Sequence, residues 1–249
     1  MAEHSNTPRR ESRNISLPQI GISGQQLIAD STVVIIGMGG IGCVAASYLA
    51  SSGIGKLIIC DFDSVDRTNL GRQILYGPDD IGKSKVDCGK GHLLRINPKV
   101  KIQAIEKRIN QYELLNIKGI DQAVILDCTD NFNSRFEINQ YAVKHNRYLV
   151  SGSAIRFEGQ IAVFGDNYED SPCYECLYSQ LDESLEDCSG SGVLSPIPGM
   201  IGSMMAIEAI KIITGIKINN TKLSLYDGIS SEWTSIKIKK KGQCPTCGL

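Results

Sequence analysis

Residues 32–42 read TVVIIGMGGIG, and this stretch decides the fold. Its first five residues are β-branched and apolar, which predicts a buried strand. Gly37, Gly39 and Gly42 then fit the pattern G-x-G-x-x-G, whose glycines let the backbone approach phosphates at a helix N-terminus. The small residues of Ile41–Ser51 continue as that helix. The sequence therefore predicts a strand, a phosphate-binding turn and a helix.

The same alternation continues along the next hundred residues. Apolar runs predict strands, and longer amphipathic segments predict helices. The predicted strands are Lys56–Asp61, Val100–Ala104, Ala123–Asp127, Tyr148–Ser153 and Gln160–Phe164, and the predicted helices are Lys83–Arg95 and Asn131–His145. Strands alternating with helices predict an α/β fold, with a Rossmann-like, mostly parallel sheet and helices on both faces. Ligands of such sheets bind at the carboxyl ends of the strands.

The composition changes after Phe164. Residues 165–198 are rich in Gly, Ser, Pro, Asp and Glu, which predicts a loop. A helix is then expected over Met200–Thr214, followed by an antiparallel pair, Lys222–Tyr226 with Trp233–Ile238. We predict one continuous domain with three parts: a mobile N-terminal arm (1–12), a nucleotide-binding part (13–165), and a part holding the crossover loop, the helix and the antiparallel strands (166–249).

Composition and charge exclude several classes of protein. The 249 residues carry a net charge of −1 and show no basic stripe, so we expect no nucleic-acid binding. Residues 32–50 are apolar, but four glycines interrupt them, which favours a buried strand and helix over a membrane span. No apolar segment follows the N-terminal charges, so we expect no secretory signal and a cytoplasmic protein. Nine cysteines without a signal indicate metal ligands, catalysis or core thiols.

Charged residues near the glycine turn indicate the ligand. Asp61 ends the second strand, 19 residues after Gly42, where a carboxylate accepts a ribose hydroxyl. Arg72 and Lys85 follow, and two cations beside a phosphate-binding turn favour a triphosphate over a nicotinamide. Asp130 follows another strand and could hold Mg²⁺. The alternatives left open are an NAD-dependent oxidoreductase, surface ion pairs for the two cations, and a helix cap for Asp130.

Two C-x-x-C motifs predict a metal site. The ligands are Cys173, Cys176, Cys244 and Cys247, and 67 residues separate the pairs. Four thiolates bind Zn²⁺ tetrahedrally and leave no open position, which predicts a structural zinc that staples distant segments. A redox role is the alternative. Cys43, Cys60 and Cys128 lie in apolar runs and are expected in the core.

Cys188 differs from the other cysteines because it lies in an acidic, glycine-rich stretch, LEDCSGSG. A reactive thiol is one hypothesis for it and a bystander thiol is the other. The neighbouring acidic residues raise a thiol pKa, so any reactivity must come from proximity to an intermediate.

Taken together, these motifs resemble the ThiF/HesA/MoeB family, bacterial relatives of ubiquitin-activating enzymes. The resemblance runs from Arg13 to Gly248 through GMGGIG, DFDSVDRTNLGRQ, GKSKV, DCTDNFNSR, the two cysteine motifs and GSMMAIEAIK. It implies a homodimer that uses ATP and Mg²⁺ to adenylate the Gly-Gly terminus of a ubiquitin-fold sulfur carrier, which the zinc-stapled part over residues 166–249 binds. It also implies catalytic roles for Arg13 (acting across the dimer), Arg72, Lys85, Asp130 and Cys188. The implied nucleotide-binding set is Gly37, Gly39, Gly40, Gly42, Asp61, Asp63, Asn69, Arg72, Lys85, Asp130 and Asn131.

The resemblance leads to one mechanism and one further alternative. The carrier carboxylate attacks the α-phosphate, and the adenylate then accepts sulfur from a separate donor, since no sulfurtransferase module follows Leu249. The carrier serves thiamine or molybdopterin synthesis, which the sequence does not distinguish. A tRNA-modifying dehydratase of the same superfamily is the alternative, and the lack of a basic patch counts against it.

Overall fold

The structure is a computed structural model, and it describes residues 10–178 and 192–248. Its strands are β1 (Thr32–Ile36), β2 (Lys56–Cys60), β3 (Lys101–Ile105), β4 (Val124–Asp127), β5 (Leu149–Ile155), β6 (Glu158–Phe164), β7 (Lys222–Asp227) and β8 (Glu232–Lys237). Its helices are α1 (Ser12–Ile15), α2 (Gly21–Asp30), α3 (Gly40–Ser51), α4 (Lys85–Ile96), α5 (Gln111–Leu115), α6 (Phe132–Lys144), α7 (Tyr174–Leu177) and α8 (Pro196–Thr214). The predicted mobile arm lies largely outside the described residues.

All eight strands form one sheet, in the order β3-β2-β1-β4-β5-β6-β7-β8. The first five strands of that order are parallel, and β6, β7 and β8 are antiparallel to their neighbours. The predicted mostly parallel α/β sheet is therefore confirmed, as is the antiparallel pair near the C-terminus. The parallel half brings the carboxyl ends of β1, β2 and β4 to one edge of the sheet.

The central strands are apolar on both faces because helices cover both. Val33 and Ile35 of β1 pack in one core layer with residues of α3, α4 and α8. Val34 and Ile36 point to the opposite layer, which holds residues of α5, α6 and α7. The four side chains are at most 3% exposed, which explains why β1 reads as an unbroken apolar run.

Three features differ from the sequence-based expectation. β6 pairs with β5 as a hairpin, so the antiparallel part of the sheet begins before residue 165. The expected loop over 165–198 contains α7, and α8 begins at Pro196, four residues before the predicted start. β7 and β8 extend the same sheet beyond β6. The second half of the chain is thus built onto the nucleotide-binding sheet.

Helix α8 lies across one face of the sheet and meets the glycine turn. Among the described residues it is the one helix long and apolar enough to cross a membrane, judged by length and composition alone. Its Ile201, Met205 and Ala209 are completely buried, in the layer that α8 shares with α3 and β5. A Cβ on Gly202 would lie 2.4 Å from the carbonyl oxygen of Ile41, so the two helices cross too closely for a side chain.

Candidate functional site

The glycine turn forms one wall of a cleft. Gly37 follows β1 with φ of +93°, a conformation that favours glycine, and a Cβ there would lie 2.7 Å from the carbonyl oxygen of Cys128. A Cβ on Gly42 would lie 1.9 Å from the carbonyl oxygen of Gly37. Helix α3 begins at Gly40 with no side-chain cap, so its first N–H groups point toward the cleft. The turn thereby offers a binding site for an anion.

The cleft measures about 820 Å³ and lies at the carboxyl ends of the parallel strands. Ten of the predicted nucleotide-binding residues line it: Gly37, Gly39, Gly40, Asp61, Asp63, Asn69, Arg72, Lys85, Asp130 and Asn131. The eleventh, Gly42, packs against the carbonyl of Gly37 in the turn. The exposed Arg13 of α1 is not among the residues that line this cleft. Cys188 lies outside the described residues.

Asp61 fixes the glycine turn to the second strand. Its Oδ2 accepts a hydrogen bond from the backbone N–H of Met38 at 2.7 Å, and its Oδ1 accepts one from the N–H of Asp63 at 2.9 Å. Burial raises the pKa of this carboxyl, and the positive charge of Lys85 opposes that effect. Each oxygen keeps a lone pair, so the predicted contact with a ribose hydroxyl remains open to it.

Lys85 is a buried cation at the start of α4. It is 6% exposed, and its Nζ donates to Oδ2 of Asp63 at 2.7 Å. A buried ammonium group needs a partner, and Asp63, half-exposed on the wall of the cleft, supplies it. The ion pair lies inside the cleft, so Lys85 faces any phosphate bound there. The alternative of a surface ion pair for Lys85 does not fit this burial.

A short turn over Arg67–Asn69 positions the second cation. Oδ1 of Asp66 accepts from the Thr68 N–H at 2.8 Å, and Oδ1 of Asn69 accepts from the Asp66 N–H at 3.1 Å. The hydrogen bonds that the hydroxyl and the backbone N–H of Thr68 donate to Asp66 lower the pKa of this carboxyl. Arg72 then donates from Nη1 to the carbonyl of Thr68 at 3.1 Å, and its guanidinium lines the cleft.

The loop after β4 carries Asp130 into the cleft. Asp127, completely buried, accepts from the hydroxyl of Thr129 at 2.7 Å and from that of Ser151 at 3.2 Å. Asp130 is exposed and lines the cleft. Asn131, rather than Asp130, caps α6, because its Oδ1 accepts from the Ser134 N–H at 2.9 Å. The Asp130 carboxylate is therefore left available for a cation such as Mg²⁺.

Further side chains that line the cleft had no role in the sequence analysis, among them Gln73, Lys107, Arg108 and Arg135. Lys107 and Arg108 follow β3 at the same edge of the sheet, and a basic pair directly after a parallel strand could have revealed them. Arg135 is 4% exposed and donates from Nη2 to the carbonyl oxygens of Thr129 and, at 3.3 Å, Gly152. Its position one turn after the N-cap of α6 is the sequence feature that could have identified Arg135 as a residue of the cleft.

The two C-x-x-C motifs meet in space. The four sulfur atoms of Cys173, Cys176, Cys244 and Cys247 lie within 4.8 Å of one another, and no other such group of possible ligands occurs in the described ranges. Sγ of Cys173 is 3.6 Å from that of Cys244, and Sγ of Cys176 is 3.4 Å from that of Cys247. An ideal zinc tetrathiolate has S–S edges of about 3.8 Å.

The surroundings of this cysteine cluster fit thiolate ligands. Nδ2 of Asn139 donates to Sγ of Cys173 at 3.5 Å, and the backbone N–H of Lys241 donates to Sγ of Cys176 at 3.4 Å. The hydrogen bond from Cys173, together with that from Lys241, lowers the pKa of Cys176. The hydroxyl of Thr246 donates to the buried carboxylate of Glu175, which joins the two motifs. The residues present therefore suit a soft divalent metal.

Three of the four remaining described cysteines are core residues, as predicted, and the fourth, Cys88, is half-buried. Cys43, Cys60 and Cys128 are buried, and burial raises the pKa of the Cys43 and Cys60 thiols to about 12. Burial also raises the pKa of Cys128. Thiols with such pKa values are protonated and inert at neutral pH.

A Rossmann-like sheet, a glycine turn, two cations and an available carboxylate define a nucleotide-binding enzyme of the phosphate-transfer type. The family model described as the ThiF family matches residues 11–246. The chain belongs to the ThiF family and is an adenylyltransferase. This confirms the family resemblance drawn from its motifs.

Curated relatives cover nearly the whole chain. It is 40% identical over 239 residues to the sulfur carrier protein ThiS adenylyltransferase of Escherichia coli strain K12, covering 96% of this chain and 94% of that protein. It is 39% identical over 241 residues to the molybdopterin-synthase adenylyltransferase of the same organism, covering 96% of each. Among solved structures, E. coli MccB with ATP superposes with a TM-score of 0.84 at 24% identity, covering 98% of this chain and 75% of that one, which shows the shared fold.

Proposed function

We propose that this protein uses ATP and Mg²⁺ to adenylate the C-terminal Gly-Gly carboxylate of a ubiquitin-fold sulfur carrier. The observation that carries the proposal is the buried Lys85 facing a cleft that also contains Arg72 and the glycine turn. Two curated relatives at about 40% identity, whose names give sulfur carrier ThiS and molybdopterin synthase as their targets, support the substrate class.

Different residues of the cleft bind the nucleotide and stabilise the transition state. The glycine turn and the N-terminus of α3 bind phosphate, and Asp61 orients the ribose. The carrier carboxylate is already ionised at neutral pH, so it attacks the α-phosphate without a protein base, and pyrophosphate leaves. Arg72 and Lys85 stabilise the charge that develops in the transition state. Asp130 would hold Mg²⁺, which neutralises phosphate charge when bound.

Five further assignments belong to the same proposal. The cysteine cluster holds one structural Zn²⁺. The protein is a homodimer in which Arg13 reaches the phosphates bound by the partner subunit. Cys188 is a further catalytic residue, whose thiol would act on the carrier only after adenylation. A separate protein donates the sulfur that converts the adenylate to a thiocarboxylate, for thiamine or molybdopterin synthesis. ATP use and a cysteine-rich chain with thiols in the core suit the cytoplasm.

The test is carrier-dependent exchange between pyrophosphate and ATP. Purified protein is assayed with a thiamine-type carrier, a molybdopterin-type carrier, and each carrier lacking its last two glycines. We expect exchange with at least one full-length carrier and none with its truncated form. Tight binding of NADH, with no exchange for any carrier, would contradict the proposal. The preferred carrier decides the pathway.

A further inference from the structure

Helix α6 touches the nucleotide cleft at one end and the cysteine cluster further along. Its cap, Asn131, directly follows Asp130. Arg135 and Asn139 lie one and two turns later on the buried side, at 4% and 0% exposure. Residues spaced four apart share a helix face, so these three side chains form one line along α6. The line leads from the carboxylate in the cleft to the ligands of the metal site.

Asn139 holds α6 against the first cysteine motif. Its Nδ2 donates to Sγ of Cys173 at 3.5 Å, and its Oδ1 accepts from the backbone N–H of Tyr174 at 2.9 Å. The rings of Phe136 and Tyr174 meet edge to face, with centroids 5.7 Å apart. A buried amide that uses both its ends in this way sets the position of the helix relative to the motif.

Arg135 holds the other end. Its guanidinium donates to the carbonyl of Thr129, in the loop that carries Asp130, and to that of Gly152 in β5. A shift of α6 along its axis would move both Arg135 and the Asn131 cap, because a helix transmits displacement as a rigid rod. The Asp130 loop would then move with it.

We propose that Asn139 and Arg135 are positioning residues, through which metal loading of the cysteine cluster sets the position of Asp130 in the nucleotide cleft. The inference rests on the proposed adenylation and on the proposed metal. It goes beyond a staple that only stabilises the fold, because it couples the cluster to one part of the active site. The glycine turn lies between β1 and α3 and meets the Asp130 loop at Cys128, whereas the proposed coupling acts on the residues that follow, from Thr129 to Asn131.

Hydrogen exchange tests the coupling without any assay of activity. The metal-loaded protein is compared with protein treated with a chelator, well below its unfolding temperature. We expect faster exchange in a peptide covering residues 127–136 after metal removal, and unchanged exchange over residues 32–51, which cover β1 and α3. Equal acceleration in both peptides, or none in the first, would overturn the proposal, because a simple staple acts on the fold as a whole.

Kinetics of metal-loaded variants provide the second test. Partners of metal ligands typically change affinity or activity by about ten- to a hundredfold when mutated. We expect Asn139→Ala to keep one metal per chain, to lower kcat for exchange about tenfold, and to raise the Mg²⁺ concentration at half-maximal rate, with KM for ATP nearly unchanged. The control Gln140→Ala removes the next amide on α6 and should match the wild type.

Arg135→Lys keeps the proposal testable if Asn139→Ala loses its metal. This variant retains the charge but not the planar fork that reaches two carbonyls. It should bind metal normally and show the same split between kcat and KM. A wild-type Mg²⁺ requirement in Arg135→Lys would overturn the proposal. If no carrier supports exchange, the proposed function fails while the hydrogen-exchange result still decides the coupling.

Discussion

Lys85 is a buried cation that forms an ion pair with Asp63, and both residues line the cleft. Losing one such preorganised charge typically costs about 2.7–4 kcal/mol in the transition state. We therefore expect Lys85→Ala, and likewise Asp130→Ala, to slow carrier-dependent pyrophosphate exchange about a hundred- to thousandfold. The matched control is Lys83→Ala, which removes an exposed lysine two residues earlier. Exchange within twofold of the wild type in Lys85→Ala would show that the cation has no catalytic role.

Gly42 and Gly91 separate two reasons for a glycine in a helix. A Cβ on Gly42 would overlap the carbonyl of Gly37, whereas one on Gly91 of α4 would meet nothing within 4 Å. We expect Gly42→Ala to lower Tm and to abolish ATP binding. Gly91→Ala should instead stabilise the protein by about 0.5–1 kcal/mol, because alanine loses less backbone entropy in a helix. Calorimetry with and without ATP checks both, and a Gly42→Ala protein that binds ATP normally would contradict the geometry.

Cys188 can be tested although it lies outside the described residues. Adenylation precedes any step that uses a thiol, so Cys188→Ala should keep carrier-dependent pyrophosphate exchange. Loss of exchange in a folded, metal-loaded Cys188→Ala protein would refute that order of steps. Whether thiocarboxylate formation also survives shows whether the thiol forms a covalent bond to the carrier.

The residues of the cleft could be predicted from the sequence where they belong to a motif with a known chemical role. Asp61, Arg72 and Lys85 follow the glycine turn in sequence, and the sheet brings all of them to one cleft. Arg135 could not be assigned in advance because its role depends on Thr129 and Gly152, which come together only when β4 and β5 pair. The ion pair of Lys85 with Asp63 could not be predicted either, because it also depends on how distant segments of the chain fold together.

At the scale of elements, apolar periodicity predicted the strands β1 to β5 and the helices α3, α4 and α6 within a few residues, but it did not predict α1, α2 and α5. The direction of β6 was not predictable in the same way. The β5–β6 hairpin turns at Arg156, which has φ of +52° without being glycine, so the usual sequence signal of a tight turn is missing. The start of α8 was predicted four residues too late because two prolines lie in its first turn, although proline is favourable at the start of a helix.

The cysteine cluster is an element-scale feature because it joins α7 to the segment after β8. We expect one Zn²⁺ per chain by elemental analysis of protein prepared without chelator. Cys176→Ser should lose the metal and lower Tm by about 10 °C or more, equivalent to several kcal/mol. The control Cys88→Ser changes a half-buried thiol outside the cluster. Full metal content in Cys176→Ser, or none in the wild type, would refute the assignment.

At the scale of the whole molecule, Arg13 is exposed on α1 and does not line the cleft of its own chain. If it serves the partner subunit, mixing Arg13→Ala with Lys85→Ala subunits creates heterodimers with one complete site. Equal mixing should then restore about a quarter of the wild-type exchange rate, since half of the dimers are mixed and each has one such site. Either variant alone should remain inactive.

The decisive control for this experiment is subunit exchange itself. Differently tagged variants are co-purified to show that heterodimers form, and Arg10→Ala replaces Arg13→Ala in a parallel mixture. Arg10 already donates to the carbonyl of Ile96 in its own chain at 2.7 Å, so its replacement leaves the proposed trans contact intact. Proven heterodimers with no recovered exchange would place Arg13 outside the catalytic machinery.

The close crossing of α8 over α3 has a consequence for mutational maps of this protein. Gly202 is not among the residues that line the cleft, yet any side chain there would push α8 away from Ile41. Pro198, at the start of α8, lies against Gly40 of the phosphate-binding turn. In a saturation mutagenesis screen scored by growth, position 202 would thus tolerate substitutions as poorly as position 85 does. Such a screen would wrongly assign residues of α8 to the active site, unless protein abundance is measured in the same library.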